Sequence, residues 1–296
     1  MADRGISPRT TNTVDLGSAS KVWRKLYLSD NGLAAMQNDF SSDAGAHNSI
    51  YRGKELPYTW AELQAKAQSH DYSDIYIGDY KIITLTTNET VVCEVGGIET
   101  YTKSGSTAIG GCIDFISRDC LAGGKRMNAS NNNNGTAAEP HPWRASELFG
   151  TLNDETIGVY STLPADLRAV IIEKRAYLEE RYSSGGLVSA DTGWSDASLG
   201  KLWLPSEIEV FGHLVWSEPG FGTAGYGVNV QYPIFRGDMK HIIKGDGNDG
   251  SRCNWWELSV YRLTSERFCI ASEAGIAGSS GASSTSICVP LCFRIG

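Results

Sequence analysis

Short apolar runs separated by turn residues dominate the chain from about residue 55 to residue 120. Thr59 and Glu62 have the Ser/Thr-x-x-Glu spacing of a helix capping box, which predicts a short helix that ends near Gln68. β-branched and aromatic residues then fill three runs that turn residues punctuate: 75–77, 80–85 and 90–95. This order of elements predicts a short helix followed by an antiparallel meander.

A longer amphipathic pattern begins at Pro164 and predicts one long helix that reaches about Tyr182. A Gly-Gly pair would end this helix. Its apolar face would consist of four residues: Leu167, Val170, Ile171 and Leu178. A short strand at 201–204 and a short helix at 206–211 are expected to follow. With short antiparallel strands, one long helix and long loops, the chain is predicted to have an α+β fold.

The last 45 residues or so place a stretch of small residues between two apolar segments. Of the 19 residues from Ile270 to Cys288, 13 are Gly, Ala or Ser, a composition that usually indicates a linker. However, the strand-like runs 268–270 and 287–295 bound this stretch on both sides. A segment fixed at both ends by core residues is expected to form a surface on a rigid frame, where binding functions are common.

The composition of this C-terminal region is typical of an adaptable binding surface, in which Tyr and Arg anchor a partner while Ser and Gly adapt to it. An ordinary exposed loop is the alternative. We expect ligand contacts from twelve residues: Tyr261, Arg262, Thr264, Glu266, Arg267, Ile270, Ser272, Glu273, Ile276, Ser279, Ser280 and Ser284. The supporting scaffold would comprise Trp255, Trp256, Phe268 and Phe293.

Residues 1–50 are polar and rich in Ser, Asn and Asp. Within them Trp23 and Tyr27 are large rings in a segment with little core of its own. We expect these rings to be buried against another copy of the chain or against another protein. A leader that packs on its own domain is the alternative. Residues 51–296 would then form the ligand-binding domain.

Composition excludes several functional classes. The 296 residues are 41% hydrophobic and carry a net charge of -8, which argues against a nucleic-acid partner. No run of about 18 apolar residues is present, so no membrane insertion is expected. The N-terminus also lacks the apolar core of a signal peptide, and without one the seven cysteines are expected to be mostly buried thiols rather than disulfides.

No set of residues with the spacing of a known catalytic or metal site is present. The five histidines are scattered, and neither a nucleophile elbow nor a phosphate-binding loop occurs. The last four cysteines (253, 269, 288 and 292) have no standard zinc spacing. Residues 246–250 with Glu257 resemble a calcium loop, but its central positions are wrong, which favours a plain turn. We therefore expect no catalytic residues, no metal and no cofactor.

Two motifs resemble a known fold. The segment Leu204-Pro205-Ser206-Glu207-Ile208-Glu209-Val210-Phe211 resembles an element of the formylglycine-generating-enzyme type of C-type lectin fold. The ending Trp255-Trp256 … Phe268-Cys269 … Val289-Pro290 … Ile295 resembles that of phage and bacterial surface proteins with the same fold, although Glu257, Leu258 and Leu291 depart from it. Together the motifs cover roughly residues 55–296, and they imply a C-type lectin-like domain.

A weaker resemblance concerns the N-terminal segment. Residues 15–27 are similar to a short element of phage tail fibres, which implies a homo-oligomer, with a trimer favoured, and attachment to other tail proteins. C-type lectin folds also include the variable proteins of diversity-generating retroelements, in which codons for a C-terminal window are rewritten. That likeness implies a variable-type region at about 250–296.

The resemblances together imply a receptor-binding protein of a phage or prophage tail. It would reside in the virion tail, or be made in the bacterial cytoplasm where a prophage encodes it, and would bind a protein or glycan receptor on a bacterial surface. Two alternatives stay open. One is a structural tail component without a receptor role. The other is a formylglycine-generating-type enzyme, for which Cys288 and Cys292 would be the reactive pair.

Overall fold

A computed structural model of the protein describes residues 40–100, 103–104, 107–108, 110–218, 231–236 and 238–296. Trp23, Tyr27 and the rest of the proposed attachment segment up to residue 39 lie outside these residues. One compact unit runs from Ser41 to Gly296. Residues 41–50, assigned from the sequence to the N-terminal segment, belong to this unit, and the Asn48 side chain hydrogen-bonds with the backbone of Ile98.

Helices in the described residues are short. In chain order they are α1 (Ala44–Asn48), α2 (Trp60–Gln68), α3 (Pro142–Ala145), α4 (Glu147–Asn153), α5 (Val159–Thr162), α6 (Ala165–Arg168) and α7 (Glu207–Phe211), with 3-10 turns at Pro233–Phe235 and Met239–His241. The predicted capping box of α2 is confirmed. A second capping box, formed by Ser206 and Glu209, begins α7. That helix ends at Gly212, whose φ of 78° is left-handed.

The strands in the described residues are mostly short and antiparallel. In chain order they are β1 (Tyr80–Thr84), β2 (Thr90–Ile98), β3 (Lys103–Ser104), β4 (Thr107–Ala108), β5 (Ile113–Cys120), β6 (Ile171–Ile172), β7 (Lys174–Glu180), β8 (Gly193–Gly200), β9 (Leu202–Trp203), β10 (Lys244–Gly245), β11 (Arg252–Cys253), β12 (Trp255–Val260), β13 (Arg267–Ala271), β14 (Ala277–Gly281) and β15 (Pro290–Ile295). Short helices beside antiparallel strands confirm the mixed α and β class.

The central sheet has the order β1-β2-β5-β15-β6, and β9 also pairs with β15. The C-terminal strand β15 therefore lies inside the sheet rather than at its edge. Phe293 on this strand stacks on Phe115 of β5 at 5.3 Å between ring centroids, and Trp60 of α2 packs edge-on against both rings. Burying three aromatic rings in one cluster is a large hydrophobic contribution to stability.

Two buried ion pairs lie beside this core. Asp114 on β5 accepts two hydrogen bonds from Arg294 on β15, each 2.7 Å long, and both side chains are fully buried. Lys174 on β7 pairs with Glu209 of α7, and its ammonium lies 4.1 Å from the centre of the Trp203 ring. The ion pairs thus connect the central sheet and its flanking elements through groups that water does not reach.

The predicted long helix at 164–182 is wrong. Only α6 is helical in this segment, and β6 and β7 follow it. Lys174, Ala176 and Leu178 are buried while Arg175 and Tyr177 between them are partly exposed, which is the two-residue period of a strand. Pairing of β7 with β8 along its whole length satisfies the backbone there and overrides the helical spacing of the apolar residues.

Other elements agree better with the sequence prediction. β1 and β2 form the expected antiparallel pair, with Ile83 opposite Val91. At 75–77, however, the predicted strand is reduced to a single bridge between Tyr51 and Ile77. Among the described residues no helix is both long and apolar enough to cross a bilayer.

Candidate functional site

The predicted contact residues lie on and around a three-stranded sheet of order β12-β13-β14. We define the display surface as the turn 261–266, the turn 272–276 and the adjoining positions 267, 279, 280 and 284. Among the predicted ligand contacts that belong to it, five have exposed side chains: Arg262, Glu266, Arg267, Glu273 and Ile276. The partly exposed members are Tyr261, Thr264, Ser272, Ser279, Ser280 and Ser284. The structure therefore brings these predicted contacts onto one hairpin system.

Ile270 does not belong to this surface. It lies on β13 opposite Trp256 and Gly278, and only 7% of its surface is accessible to solvent. A Cβ atom at Gly278 would lie 3.3 Å from Ile270 Cγ1, so the absence of a side chain there gives the isoleucine its room. We predicted Ile270 as a ligand contact, and the structure corrects this: Ile270 is a core residue.

The predicted scaffold residues are all buried: Trp255, Trp256 and Phe268 lie on β12 and β13, and Phe293 lies on β15 of the central sheet. Trp255, Trp256, Phe268 and Phe293 are all 0% exposed. Each indole N–H donates to a backbone carbonyl: Trp255 to Ile242 at 2.7 Å and Trp256 to Lys125 at 2.6 Å. A buried Trp needs such a partner to satisfy its polar edge. The hairpin is thus anchored to segments that are distant in sequence.

Asn133 fixes the turn 261–266 from the protein interior. Its side-chain amide donates to the carbonyls of Thr264 and Arg267 at 2.9 and 2.7 Å, and its backbone N–H donates to Ser265 at 2.9 Å. Arg181, also fully buried, adds a hydrogen bond to the Thr264 carbonyl at 3.1 Å. Because the turn's backbone is held from below, its side chains do not have to hold the turn together.

Trp216 extends the surface beyond the predicted residues. The Glu207 carboxylate accepts hydrogen bonds from the backbone N–H groups of Val215, Trp216 and Ser217 at 2.9–3.1 Å, which positions this segment. The Trp216 ring lies 5.7 Å from that of Tyr261, and its indole donates to the Ala277 carbonyl at 3.2 Å. Trp216 is 37% exposed, so it offers a ligand part of a large ring.

Sequence reasoning missed Trp216, Leu263 and Asn133 for different reasons. Leu263 is 61% exposed within the turn, but a leucine usually indicates a core position. Trp216 hydrogen-bonds with Ala277, 61 positions away, and Asn133 with Arg267, 134 positions away. No local sequence pattern reveals contacts at such separations. The run of four asparagines at 131–134 was the available signal, because amide side chains commonly support loop backbones.

A small apolar pocket with a volume of about 30 Å³ lies next to the display surface. Its wall includes Ser217 and Val260, the sequence neighbours of Trp216 and Tyr261. The remaining large side chains of the wall are mainly apolar: Trp143, Leu178, Trp194, Ile208, Leu214 and Leu258. Glu179 also lines it, and burial raises the pKa of this carboxyl to about 7 although Arg181 opposes the shift. At this size the pocket accepts at most a small apolar group, because typical ligand pockets measure roughly 300–1,000 Å³.

The cysteine pair that an enzyme would use is buried. Burial raises the pKa of Cys292 to about 12. A hydrogen bond with Cys120 favours the thiolate of Cys288, but a second bond with Cys253 and burial raise its pKa to about 12. The two thiols also have different neighbours, since Cys292 lies near Cys93. This arrangement does not favour reactive thiols at these two positions.

Cys253 is expected to be the fastest-reacting thiol of the native protein. It is half-buried, and hydrogen bonds with Cys120 and Cys288 lower its pKa to about 4. We expect iodoacetamide at neutral pH to alkylate Cys253 first, as mapped by peptide mass spectrometry. In denaturant all seven cysteines should react. Fast joint labelling of Cys288 and Cys292 in the native protein would instead support the enzyme alternative.

The calcium-loop resemblance has a structural explanation. Asp246 accepts hydrogen bonds from the backbone of Asn248 and Gly123, and Asp249 accepts from Ser251, which makes residues 246–251 a compact turn. Glu257 is fully buried on β12, where one of its oxygens lies within 4.8 Å of atoms from Glu207 and Cys269. Glu257 therefore does not complete a loop with the aspartates.

Comparison with known proteins yields one family match. A family model described as a domain of unknown function, DUF6273, matches residues 115–296. This range begins within β5 and includes the display surface, Asn133 and β15. No curated protein and no solved structure matches the chain. Because the matched range is more than half of the sequence, the protein belongs to the DUF6273 family.

Proposed function

We propose that the protein is a receptor-binding component of a phage or prophage tail, which uses the display surface to bind a protein or glycan on a bacterial cell. The observation that carries this proposal is the support of the turn 261–266 by Asn133 from the interior. A turn whose backbone is fixed in this way presents Tyr261, Arg262 and Arg267, and the bond that the Arg267 side chain donates to the Ser279 carbonyl, at 3.2 Å, is exposed to solvent. Tyr and Arg are the residue types that most often dominate binding energy.

The proposal includes a C-type lectin-like domain and an oligomer, with a trimer favoured. Its support is the resemblance of the α7 and C-terminal segments, together with the tail-fibre-like segment at 15–27. Several weak sites on one particle can raise the overall affinity by roughly 10²–10⁴ without any new contact. A modest surface of polar and small residues is then sufficient for stable adsorption.

Diversification of the display surface is part of the same hypothesis. Apart from Ile270, the predicted contacts are exposed or partly exposed, whereas Trp255, Trp256 and Phe268 are fully buried. Exposed positions tolerate substitution at little cost in stability, and buried positions do not. If the surface is diversified, the DNA near the gene should contain a near-copy of the codons for about residues 250–296 beside a reverse transcriptase gene.

The combined substitutions Tyr261→Ala, Arg262→Ala and Arg267→Ala should abolish adsorption while leaving the melting temperature nearly unchanged. Loss of a few anchor side chains typically costs more than 2 kcal/mol each in binding free energy. The measurement is binding of fluorescently labelled full-length protein to cells related to the bacterium that carries the gene. Differential scanning fluorimetry of the same samples reports the melting temperature.

A matched control carries the same residue types outside the display surface: Tyr182→Ala, Arg126→Ala and Arg236→Ala. This control should adsorb like the native protein. Equal adsorption of the native protein and the display-surface variant would contradict the site assignment. Absence of adsorption by the native protein would favour the structural tail component. A variant that unfolds would show that these side chains belong to the scaffold.

A further inference from the structure

Two carboxylates and a thiol meet in a buried position between α7 and the β12-β13 strands. Glu207, Glu257 and Cys269 are all 0% exposed, and one ligand atom from each lies within 4.8 Å of the other two. Glu207 begins α7, Glu257 lies on β12 and Cys269 on β13. Like charges this close in an apolar interior are unfavourable unless something compensates for them.

Glu257 is the member of the cluster whose environment is unexplained. Neither of its carboxylate oxygens has a hydrogen-bond partner among the described residues. Glu207 differs, because the backbone of residues 215–217 and the Ser217 hydroxyl satisfy its oxygens. A buried carboxyl group without a partner is costly even when it is protonated, since its O–H and C=O both lack hydrogen bonds. The side chain therefore points to a ligand.

We propose that Glu207, Glu257 and Cys269 bind a divalent metal ion, with zinc as the best match. A thiolate and two carboxylates are donors that zinc accepts, at about 2.3 Å for sulfur and about 2.0–2.2 Å for oxygen. Calcium and magnesium fit poorly because they require oxygen ligands in larger number. A second oxygen of Glu257 or a water molecule would complete the four-coordinate site.

Binding balances the charges of the cluster. Burial and the charge of Glu207 raise the pKa of Glu257 well above its usual value. Burial and both carboxylates do the same for Cys269. Without metal, these shifts therefore favour the protonated carboxyl and the protonated thiol. Binding of one zinc ion would release these two protons to solvent and leave three anionic ligands around a dication.

The position of the site gives it a structural role. Glu207 also holds the backbone of Val215, Trp216 and Ser217, and Trp216 packs against Tyr261 of the display surface. A metal ion between Glu207, β12 and β13 would lock this segment to the hairpin that carries the surface. The proposal stands on the cluster alone and does not depend on the identity of the surface's ligand.

The test is the metal content and zinc response of the full-length protein. Elemental analysis of protein purified without chelator should find one zinc ion per chain. Protein stripped by chelator in denaturant and refolded should gain melting temperature when zinc is added. Glu257→Gln and Cys269→Ala each remove a direct ligand, so they should weaken zinc binding by more than the roughly 10–100-fold that loss of an outer-shell partner typically costs. The melting temperatures of both variants should not respond to zinc. The matched control Cys292→Ala, at another fully buried thiol, should respond like the native protein.

Cobalt distinguishes this cluster from the thiols of Cys120, Cys253 and Cys288. Cobalt(II) bound to a thiolate gives a sulfur-to-metal charge-transfer band, which Cys269→Ala should remove and Cys253→Ala should leave. If the band and the zinc instead disappear in Cys253→Ala and persist in Cys269→Ala, the metal lies at the other cluster and the proposal is overturned. Absence of metal from the native protein, with no zinc response after stripping, would also overturn it and identify Glu257 as a protonated acid.

Discussion

Replacing Arg294 by alanine should lower the free energy of unfolding at neutral pH by about 3–5 kcal/mol, as is typical when one partner of a buried ion pair is removed. Arg294 and Asp114 are both fully buried and joined by two hydrogen bonds of 2.7 Å. Without the guanidinium, the Asp114 carboxylate would remain in the core, where Thr100 and Tyr232 still donate hydrogen bonds to it. Urea unfolding monitored by tryptophan fluorescence measures the change.

The effect of pH on this variant has a defined sign. Burial raises the pKa of Asp114, but Arg294, with smaller contributions from Lys174 and Thr100, outweighs burial and holds the pKa below its usual value. In the native protein the pair therefore stabilises the fold above about pH 4, and this stability is lost as the pH falls through the folded pKa. In Arg294→Ala burial still raises the pKa of Asp114, and it is opposed by the charge of Lys174 and the hydrogen bond from Thr100 but no longer by Arg294. The folded state of the variant therefore favours the protonated acid more than the native fold does. The deficit relative to the native protein should shrink as the pH falls.

Arg126→Ala is the matched control, because it removes an arginine from an exposed ion pair. Arg126 and Glu147 are joined at 2.9 Å, yet both side chains are 44% exposed. Solvent screens such pairs, so the expected cost is less than about 1 kcal/mol. Similar costs for the two variants at neutral pH would mean that the Arg294–Asp114 pair is not buried in solution.

Asn133→Ala should cost about 2–4 kcal/mol in unfolding free energy, because it removes at least two buried hydrogen bonds and leaves their carbonyl acceptors without partners. The carbonyls of Thr264 and Arg267 are those acceptors. We also expect weaker adsorption to cells, since the turn 261–266 would no longer be held in one conformation. Urea unfolding measures the change in unfolding free energy. Hydrogen exchange of the amides at 261–267 reports, residue by residue, whether the turn is still held in one conformation.

Asn248→Ala provides the comparison for this variant, because Asn248 is an exposed asparagine in the turn at 246–251. Its substitution should change the unfolding free energy by less than about 0.5 kcal/mol. Should Asn133→Ala leave amide exchange at 261–267 at the native rate, Asn133 would not be the support of the display surface. The triple substitution of Tyr261, Arg262 and Arg267 tests the residues that contact the ligand. Asn133→Ala tests the residue that supports them.

Elements set by local chemistry could be predicted from the sequence. The capping box of Thr59 and Glu62 is complete within four residues, and the helix that it begins has the expected extent, Trp60–Gln68. The helix at Glu207–Phe211 begins in the same way. By contrast, the spacing of Leu167, Val170, Ile171 and Leu178 fits a helix, and only pairing with β8 makes the second half of that segment a strand. Information about that partner is absent from the segment itself.

The same limit applies to the candidate sites. The exposed residues of the turn 261–266 follow from composition, whereas Ile270 was placed with them because its burial depends on packing under Gly278. Glu207 and Glu257 are 50 positions apart, and each has a local explanation, as a helix-start residue and as an apparent loop ligand. Their proximity arises only when α7 lies across β12 and β13. Sites formed between elements in this way cannot be derived from spacing.

The position of β15 has a consequence for how fast the protein folds. Its ion pair with β5 joins residues 180 positions apart, so the central sheet cannot be completed before a very long loop has closed. Contacts of such high sequence separation are associated with slow folding. The β13-β14 hairpin, whose partners are close in sequence, does not share this constraint. Sequence changes on the hairpin surface would then alter mainly the rate of unfolding, and the slow closure of the central sheet would proceed alike in every variant.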